Sequence, residues 1–385
     1  MRILHVIPSL NPDRGGTVEG LNQMANALIE LGHEIEIATL DDPDDTWVHS
    51  SEKKVHALGP SKFNYRYSWK YIPWLKENAS QFDAVVIEGI WQFHSLGAWL
   101  ALRGGRVPYF VFTHGMLSPW FKRVYPIKHF KKWLYWPWAD YRVLRDAKAV
   151  FFTCEEERLL ARKSFWLYRC HEVVVGYGTV GPNGDRDWYR KVFLSRYPNI
   201  IGKRLILFMG RLHPVKGCDI LLESFAMVAD RDATLHLVMA GPDSIGCREA
   251  LEALSVRLGI EDRVTWAGTL NDELKWGAIM SAEVLVLPSH QENFGMVVPE
   301  ALACGKPVLI SDRVNIWREV EASKSAIVAR DTISGVVEML TRWLDLDGKE
   351  YLSMCRSARM CFENHYEIKK VANRLSDAIA KAVQS

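Results

Sequence analysis

The chain has 385 residues, 48% of them hydrophobic and 24% charged, and a formal net charge of +2. That length exceeds what one hydrophobic core usually serves and points to two domains, while a charge so near zero gives no global attraction for nucleic acid. Seven cysteines without a Cys-x-x-Cys pair argue for reduced thiols and against a disulfide framework or a zinc site.

The opening Met1 to Pro8 is too short an apolar run for a secretory signal, and no segment reaches the roughly 18 apolar residues of a membrane span. The expected location is the cytoplasm. No internal repeat or low-complexity tract is present, which removes solenoids and linker-rich scaffolds.

Arg2 to Ile7 reads as a buried strand, Pro8 to Gly16 as a loop with paired glycines, Thr17 to Leu31 as a helix and Glu34 to Thr39 as a second strand. This βαβ opening predicts a parallel, doubly wound α/β sheet whose ligands sit at the strand C-termini. It lacks Gly-x-Gly-x-x-Gly, so a nicotinamide or flavin site has little support. Gly15 and Gly16 either let the chain pass close to a ligand or simply make a tight turn.

Further strands are expected at Ala84 to Ile87, Tyr109 to Thr113 and Ala149 to Thr153, with helices near Phe93 to Leu102 and Ile127 to Arg145. His114 follows a strand, which makes it either a group facing a ligand at the sheet edge or a packed, satisfied histidine. Glu155, Glu156 and Glu157 follow another; one of them could line the cleft, but a solvated helix start explains all three. Residues 120–138 interleave Lys122, Arg123, Lys128, Lys131 and Lys132 with Trp, Tyr and Phe. That mixture suits an anionic membrane interface, and it equally suits an aromatic helix packed on its domain with a basic outer face. No nucleic-acid-binding module accompanies it.

Gly, Pro, Asn and Asp cluster from Gly176 to Asn199, and the interdomain linker is expected there. A new βαβ pattern begins at Arg204. Strand Leu205 to Met209 leads into Gly210-Arg211-Leu212-His213-Pro214-Val215-Lys216-Gly217 and a helix from Cys218 to Ala229. Arg211 and Lys216 share one strand-to-helix loop, so both cations can converge on a diphosphate; taken singly, each reads as a surface charge. Leu235 to Ala240 runs into Gly241-Pro242, and Arg263 to Ala267 into Gly268-Thr269-Leu270, where Thr269 could equally cap a helix.

The apolar run Glu283 to Pro288 precedes Ser289-His290-Gln291-Glu292-Asn293-Phe294-Gly295-Met296-Val297-Val298-Pro299-Glu300, which leads through Pro299 into a helix closed by Gly305. The N–H groups around Gly295, Met296 and Val297 open toward an anion at the helix start. Glu292 and Glu300 suit hydroxyls on either side of a diphosphate, those of a sugar and of a ribose; alternatively Glu300 caps its helix and Glu292 is solvated. Strand Val308 to Ile310 and long helical stretches follow, with amphipathic spacing over Ile368 to Val383.

The two acids with seven residues between them, Asn-Phe-Gly after the first, and Pro-Glu-Ala-Leu-Ala-Cys-Gly-Lys-Pro-Val around the second resemble the signature of the retaining glycosyltransferases of family 4. The resemblance implies a GT-B fold, two Rossmann-like domains with the active site in the cleft between them. It implies domains at 1–180 and 181–365, with a final helix at 366–385 returning to the first. It assigns Glu292 to donor-sugar hydroxyls, Asn293, Phe294, Gly295, Met296 and Val297 to backbone contacts, and Glu300 to the ribose. The Gly-Arg-x-x-x-x-Lys-Gly pattern matches the pair that holds the leaving diphosphate, Arg211 and Lys216, beside Gly210. Gly15 and Gly16 resemble the loop facing the donor phosphates, and His114 the histidine near the donor sugar. Gly241 joins the donor-binding set, and Thr269 and Leu270 stand where relatives recognise the base. Gly176-Tyr177-Gly178-Thr179 departs from the family's Asn-Gly-Val-Asp-like segment.

The expected activity is metal-independent hexosyl transfer with retention, from UDP-glucose to a saccharide or lipid-linked acceptor. No cofactor beyond the nucleotide-sugar co-substrate and no metal is expected. GDP-mannose as donor, a nucleotide-sugar 2-epimerase and a non-catalytic sugar-nucleotide-binding protein remain alternatives, and an NAD-dependent dehydrogenase has the least support.

Overall fold

Short apolar runs punctuated by Gly and Pro fold as strands, and every pairing between them is parallel, the arrangement that buries both faces. The computed structural model describes residues 1–384, and Arg14 and Asp272 by backbone alone. The chain divides into two units, Met1–Gly178 with Ile368–Gln384, and Thr179–Glu367. Both are α/β, and the fold is the two-domain Rossmann-like arrangement of GT-B proteins.

The first unit holds β1 (Arg2–Ile7), β2 (Glu34–Thr39), β3 (Lys54–Ala57), β4 (Ala84–Glu88), β5 (Tyr109–Phe112), β6 (Ala149–Phe152) and β7 (Glu172–Val174), in spatial order β3-β2-β1-β4-β5-β6-β7. Leu4, Val85, Tyr71, Trp99 and Trp136 fill one face. The other packs Met24 and Leu28 against Val371, Leu375 and Ile379 of the helix Ile368–Gln384. That helix is further tied by Lys369 to Glu30 at 2.9 Å and by Ser376 to His33 Nε2 at 2.8 Å. Its expected end at Ser385 lies outside the described residues.

The second unit holds β8 (Arg204–Met209), β9 (Leu235–Ala240), β10 (Val264–Gly268), β11 (Val284–Leu287), β12 (Val308–Ser311) and β13 (Ala326–Ala329), ordered β10-β9-β8-β11-β12-β13. In each sheet the strand order reverses once, between β1 and β4 and between β8 and β11. Loops leaving the C-terminal ends of those strands diverge there and open a crevice.

Three sequence expectations change. The stretch Gly176 to Asn199 is not all linker: the units part at Gly178 and Thr179, and Arg186–Arg196 is a helix, capped by the Asp185 side chain and anchored by buried Phe193. The helix expected over Ile127 to Arg145 is interrupted, because Pro137 ends Pro126–Tyr135 in a 3-10 turn before Asp140–Asp146 begins. β3, β7 and β13 were not expected from the sequence; each lies at a sheet edge and is short.

Candidate functional site

At the β8/β11 reversal two loops are joined by their backbones. His290 N–H donates to Val215 C=O at 2.8 Å, and Gly217, at φ 68°, lies so close to Pro288 that a Cβ would stand 2.5 Å from its carbonyl oxygen. Only glycine accepts that conformation and approach. Lys216 is thereby delivered to Glu292, and the two form an ion pair with side chains 13% and 18% exposed. Glu292 is also pinned through its backbone, its N–H to Arg313 C=O and its C=O from Asn315 N–H, both at 3.0 Å. Asn293 accepts from Asn315 at 3.2 Å.

The expected helix start follows, with Val297–Ala303 helical. Val298 N–H bonds to Gly295 C=O at 2.8 Å and Glu300 N–H to Met296 C=O at 3.1 Å. Among the described residues no protein acceptor meets the N–H groups of Gly295, Met296 and Val297, so they stay open to an anion. The Phe294 ring is buried edge-on to Tyr366 and packs the turn from beneath. Glu300 is neither free nor a cap: it pairs with Lys275 at 2.9 Å. Lys275 was missed because it sits in an unremarkable helix, Asp272–Ser281, and only the fold brings it to Glu300.

Arg211 is exposed, and among the described residues no acid lies within ion-pair distance of it. Its loop is fixed by Gly210 N–H to Ala240 C=O and Leu212 N–H to Pro242 C=O, each 2.9 Å, and Gly241 N–H reaches Gly268 C=O at 2.7 Å. A Cβ on Gly241 would stand 1.8 Å from Gly210 O, so these strand ends close together only with glycine there. Thr269 is exposed and Leu270 half-buried just beyond β10. Thr269 caps no helix; Asn271 holds the N-cap position before Asp272–Ser281. The second unit thus gathers Gly210, Arg211, Lys216, Gly241, Glu292 to Val297 and Glu300 on neighbouring strand ends.

In the first unit, Gly15 and Gly16 are exposed with open space around both. Gly15 borders a cavity of about 410 Å³ lined also by Val18, Glu19, Asn22, Trp47 and Ser51. His114, at φ 47°, is stacked on Phe112 with ring centroids 5.1 Å apart. Its Nε2 lies 2.6 Å from Glu88 Oε2, and Glu88 Oε1 lies 2.7 Å from His5 Nδ1. Burial works against the Glu88 charge, yet the hydrogen bonds from His114 and His5 outweigh it and pull the pKa down to about 2. Of the three acids after β6, Glu157 is buried and not solvated. It accepts from Thr113 Oγ1 at 2.7 Å, Gly115 N at 2.6 Å and Thr153 N at 2.7 Å, which ties down the residues on both sides of His114, one through its hydroxyl and the other through its backbone. No sequence signal marks it, because a helix-start acid looks the same whether it turns out or in.

Within residues 120–138 the packed core takes Trp136, which is fully buried in the first unit, but not the helix that precedes it. Helix Pro126–Tyr135 has no buried residue, and its apolar positions Ile127, Phe130 and Leu134 face outward at 76%, 60% and 52% exposure. Lys132 is the basic residue that turns in, 4.4 Å from the Trp91 ring, and burial brings its pKa down to about 8.

Residues 15–178 match the Glycosyl transferase 4-like domain and residues 196–359 the Glycosyl transferases group 1. D-inositol 3-phosphate glycosyltransferase of Thermomonospora curvata is 40% identical over 131 residues, covering 32% of this chain and 30% of that protein. Mannosylfructose-phosphate synthase of Agrobacterium fabrum is 33% identical over 133 residues, 33% of this chain and 29% of that protein. The chain thus spans about 30% of the length of curated relatives it matches. Among solved structures, sucrose-phosphate synthase from Thermosynechococcus elongatus superposes with a TM-score of 0.77 at 18% identity, over 99% of this chain and 98% of that one. HepE from Anabaena in complex with UDP and glucose gives 0.77 at 16%, over 99% and 100%. With one family domain in each half and this fold throughout, the chain belongs to the family-4-like glycosyltransferases of GT-B fold.

Proposed function

We propose that this protein is a retaining, metal-independent hexosyltransferase that moves glucose from UDP-glucose to a hydroxyl of a saccharide or lipid-linked saccharide. The observation that carries the reading is the Lys216–Glu292 ion pair beside the open N–H groups of residues 295–297 at the β8/β11 reversal, with Arg211 on the same β8 loop as Lys216. Departure of a diphosphate builds negative charge where two cations and those N–H groups stand, and fixed positive groups stabilise it without reorganisation. Glu292 is acceptor-only when ionised and holds sugar hydroxyls; Glu300 holds the ribose. In the resting protein Lys216 and Glu292 bind each other, so donor binding exchanges one ion pair for a phosphate on the lysine and a hydroxyl on the acid. UDP and glucose in the HepE complex favour this donor. The cavity beside Gly15, with its acid, amide, hydroxyl and indole groups, suits a saccharide acceptor.

The protein also docks on anionic membrane through Pro126–Tyr135, whose outward Ile127, Phe130 and Leu134 stand beside Lys128 and Lys131. No helix among the described residues is long and apolar enough to cross a membrane.

The test is incubation with radiolabelled UDP- and GDP-sugars, with and without saccharide acceptors and with EDTA, followed by assignment of the product's anomeric configuration. Acceptor-dependent transfer from UDP-glucose with retention, undiminished by EDTA, is expected. Transfer from GDP-mannose alone overturns the donor, a released 2-epimer overturns the reaction, and binding without turnover overturns the enzyme.

A further inference from the structure

β1, β4 and the turn leaving β5, neighbours across the first sheet's reversal, place a carboxylate between two imidazoles. His5 is 1% exposed and Glu88 4%. A carboxylate only accepts, so each ring turns an N–H toward it: His114 through Nε2 and His5 through Nδ1. For a neutral His114 this leaves Nδ1 as a lone pair, and among the described residues no protein group meets that atom. The ring has little freedom to do otherwise. Phe112 stacks beneath it, Tyr177 meets it edge-on at 5.8 Å, and Glu157 holds the Thr113 hydroxyl and the Gly115 N–H on either side. Its left-handed φ of 47° is uncommon for a residue other than glycine and is held here by those contacts.

The far side of the trio carries a second sign. His5 Nε2 is buried and has no partner among the described residues. An unsatisfied buried nitrogen costs stability, and an aliphatic residue in this strand would avoid that cost. Packing therefore gives no reason for the imidazole, whereas a second donor to Glu88 does. With His5 on Oε1, the carboxylate cannot swing away, and Oε2 stays aimed at His114.

We propose that Glu88 is a positioning residue, seconded by His5, that fixes His114 in the Nε2–H tautomer so that Nδ1 accepts a hydrogen bond from a hydroxyl of the bound sugar. The role of His114 rests on the hexosyltransferase reading; the tautomer does not. Removal of the anion frees the ring to take the other tautomer, in which Nδ1 carries hydrogen and can no longer accept from the hydroxyl.

The decisive measurement is the ring 15N spectrum of histidine-labelled full-length protein, with His114 assigned by its loss in His114→Phe. Wild type should show His114 as the Nε2–H tautomer, and Glu88→Gln should show a mixture or the Nδ1–H form. In transfer assays Glu88→Gln should lower kcat on the order of 10- to 100-fold, the range for a lost orienting partner, with Glu88→Asp recovering part of it. A wild-type ring in the Nδ1–H form overturns the proposal, and that result needs no variant to fold. A folded Glu88→Gln with unchanged tautomer and unchanged kcat overturns it as well. Should the wild type transfer no sugar while its tautomer is as stated, the activity falls and the positioning stands.

Discussion

Arg211 and Lys216 occupy one loop and carry the same charge, yet their surroundings differ, and so should their variants. Arg211 is exposed and unpaired among the described residues, so Arg211→Ala should change stability by no more than about 0.5 kcal/mol. Lys216 neutralises a mostly buried Glu292, so Lys216→Ala leaves that acid uncompensated and should cost roughly 1–3 kcal/mol. Both should lower kcat on the order of 10²–10³, the effect of removing one group that stabilises a developing anion. Thermal unfolding with steady-state transfer assays separates these outcomes. Equal melting temperatures with normal turnover for Arg211→Ala would remove it from the site. The sequence made this pair legible because a strand, a Gly-rich loop and a helix start determine where such cations go. It could not make Lys275 legible, since its partner Glu300 is 25 positions away and only the packed fold unites them.

At the level of elements, the helix Pro126–Tyr135 shows why periodicity alone leaves a choice open. Ile127, Phe130 and Leu134 repeat as a helix face should, and such a face normally turns inward. Here His129 and Tyr135 turn in instead, one stacked on Phe165 at 4.9 Å and the other bonded to Tyr65 at 2.5 Å, and the apolar stripe is left outside. Amphipathic spacing determines the helix but not which face the domain takes. If the stripe meets lipid, Lys128→Glu with Lys131→Glu should abolish co-sedimentation with anionic vesicles, each basic residue near such a surface contributing about 1 kcal/mol. Both side chains are exposed, so melting and transfer to a soluble acceptor should be unchanged. Equal partitioning of wild type and variant onto anionic vesicles would show that the helix serves another purpose. The strands were legible where both faces are buried, as in β1 and β8, and not at β3 or β7, where short, half-exposed residues carry no apolar run.

Across the whole molecule, buried acids of the first unit pull stability in opposite directions with pH. Burial opposes the Glu36 charge, but hydrogen bonds from Arg2, His56 and Lys54 outweigh it and bring the pKa to about 2, as for Glu88. Groups with depressed pKa values stabilise fully above the ordinary 4.5, and that stabilisation is lost as pH falls toward 2. Asp140 behaves oppositely. Burial raises it from 3.8 to about 7 against the hydrogen bonds from Ser95 and the Trp91 N–H and the nearby Lys132 charge. A raised acid stabilises fully below its ordinary pKa and loses that contribution as pH climbs through the folded value. Once the acid limb is passed, melting of the wild type should therefore decline as pH rises to about 7, and Asp140→Asn should flatten that decline while leaving the acid limb in place. An unchanged slope in the variant would show that Asp140 is ionised throughout.

The chain order hides a dependence that the fold exposes: its last helix belongs to its first unit. Ile368, Val371, Ala372, Leu375 and Ile379 are buried against Met24, Leu28 and the strands β1, β4 and β5, none of which is near them in sequence. The amphipathic spacing of that stretch announces a surface helix with one apolar face, but spacing carries no address, and only the contacts identify the sheet it covers. A change at the C-terminus must then be felt by the N-terminal half. Leu375→Ala should cost roughly 2–5 kcal/mol, the range for a fully buried leucine truncated in a core. Hydrogen exchange resolved by peptide locates the loss. Faster exchange is expected across β1, β4 and the helix Gly16–Glu30, with β8 and β11 holding wild-type protection. Faster exchange confined to β8 and β11 would assign the helix to the second unit and overturn the partition of the chain at Glu367.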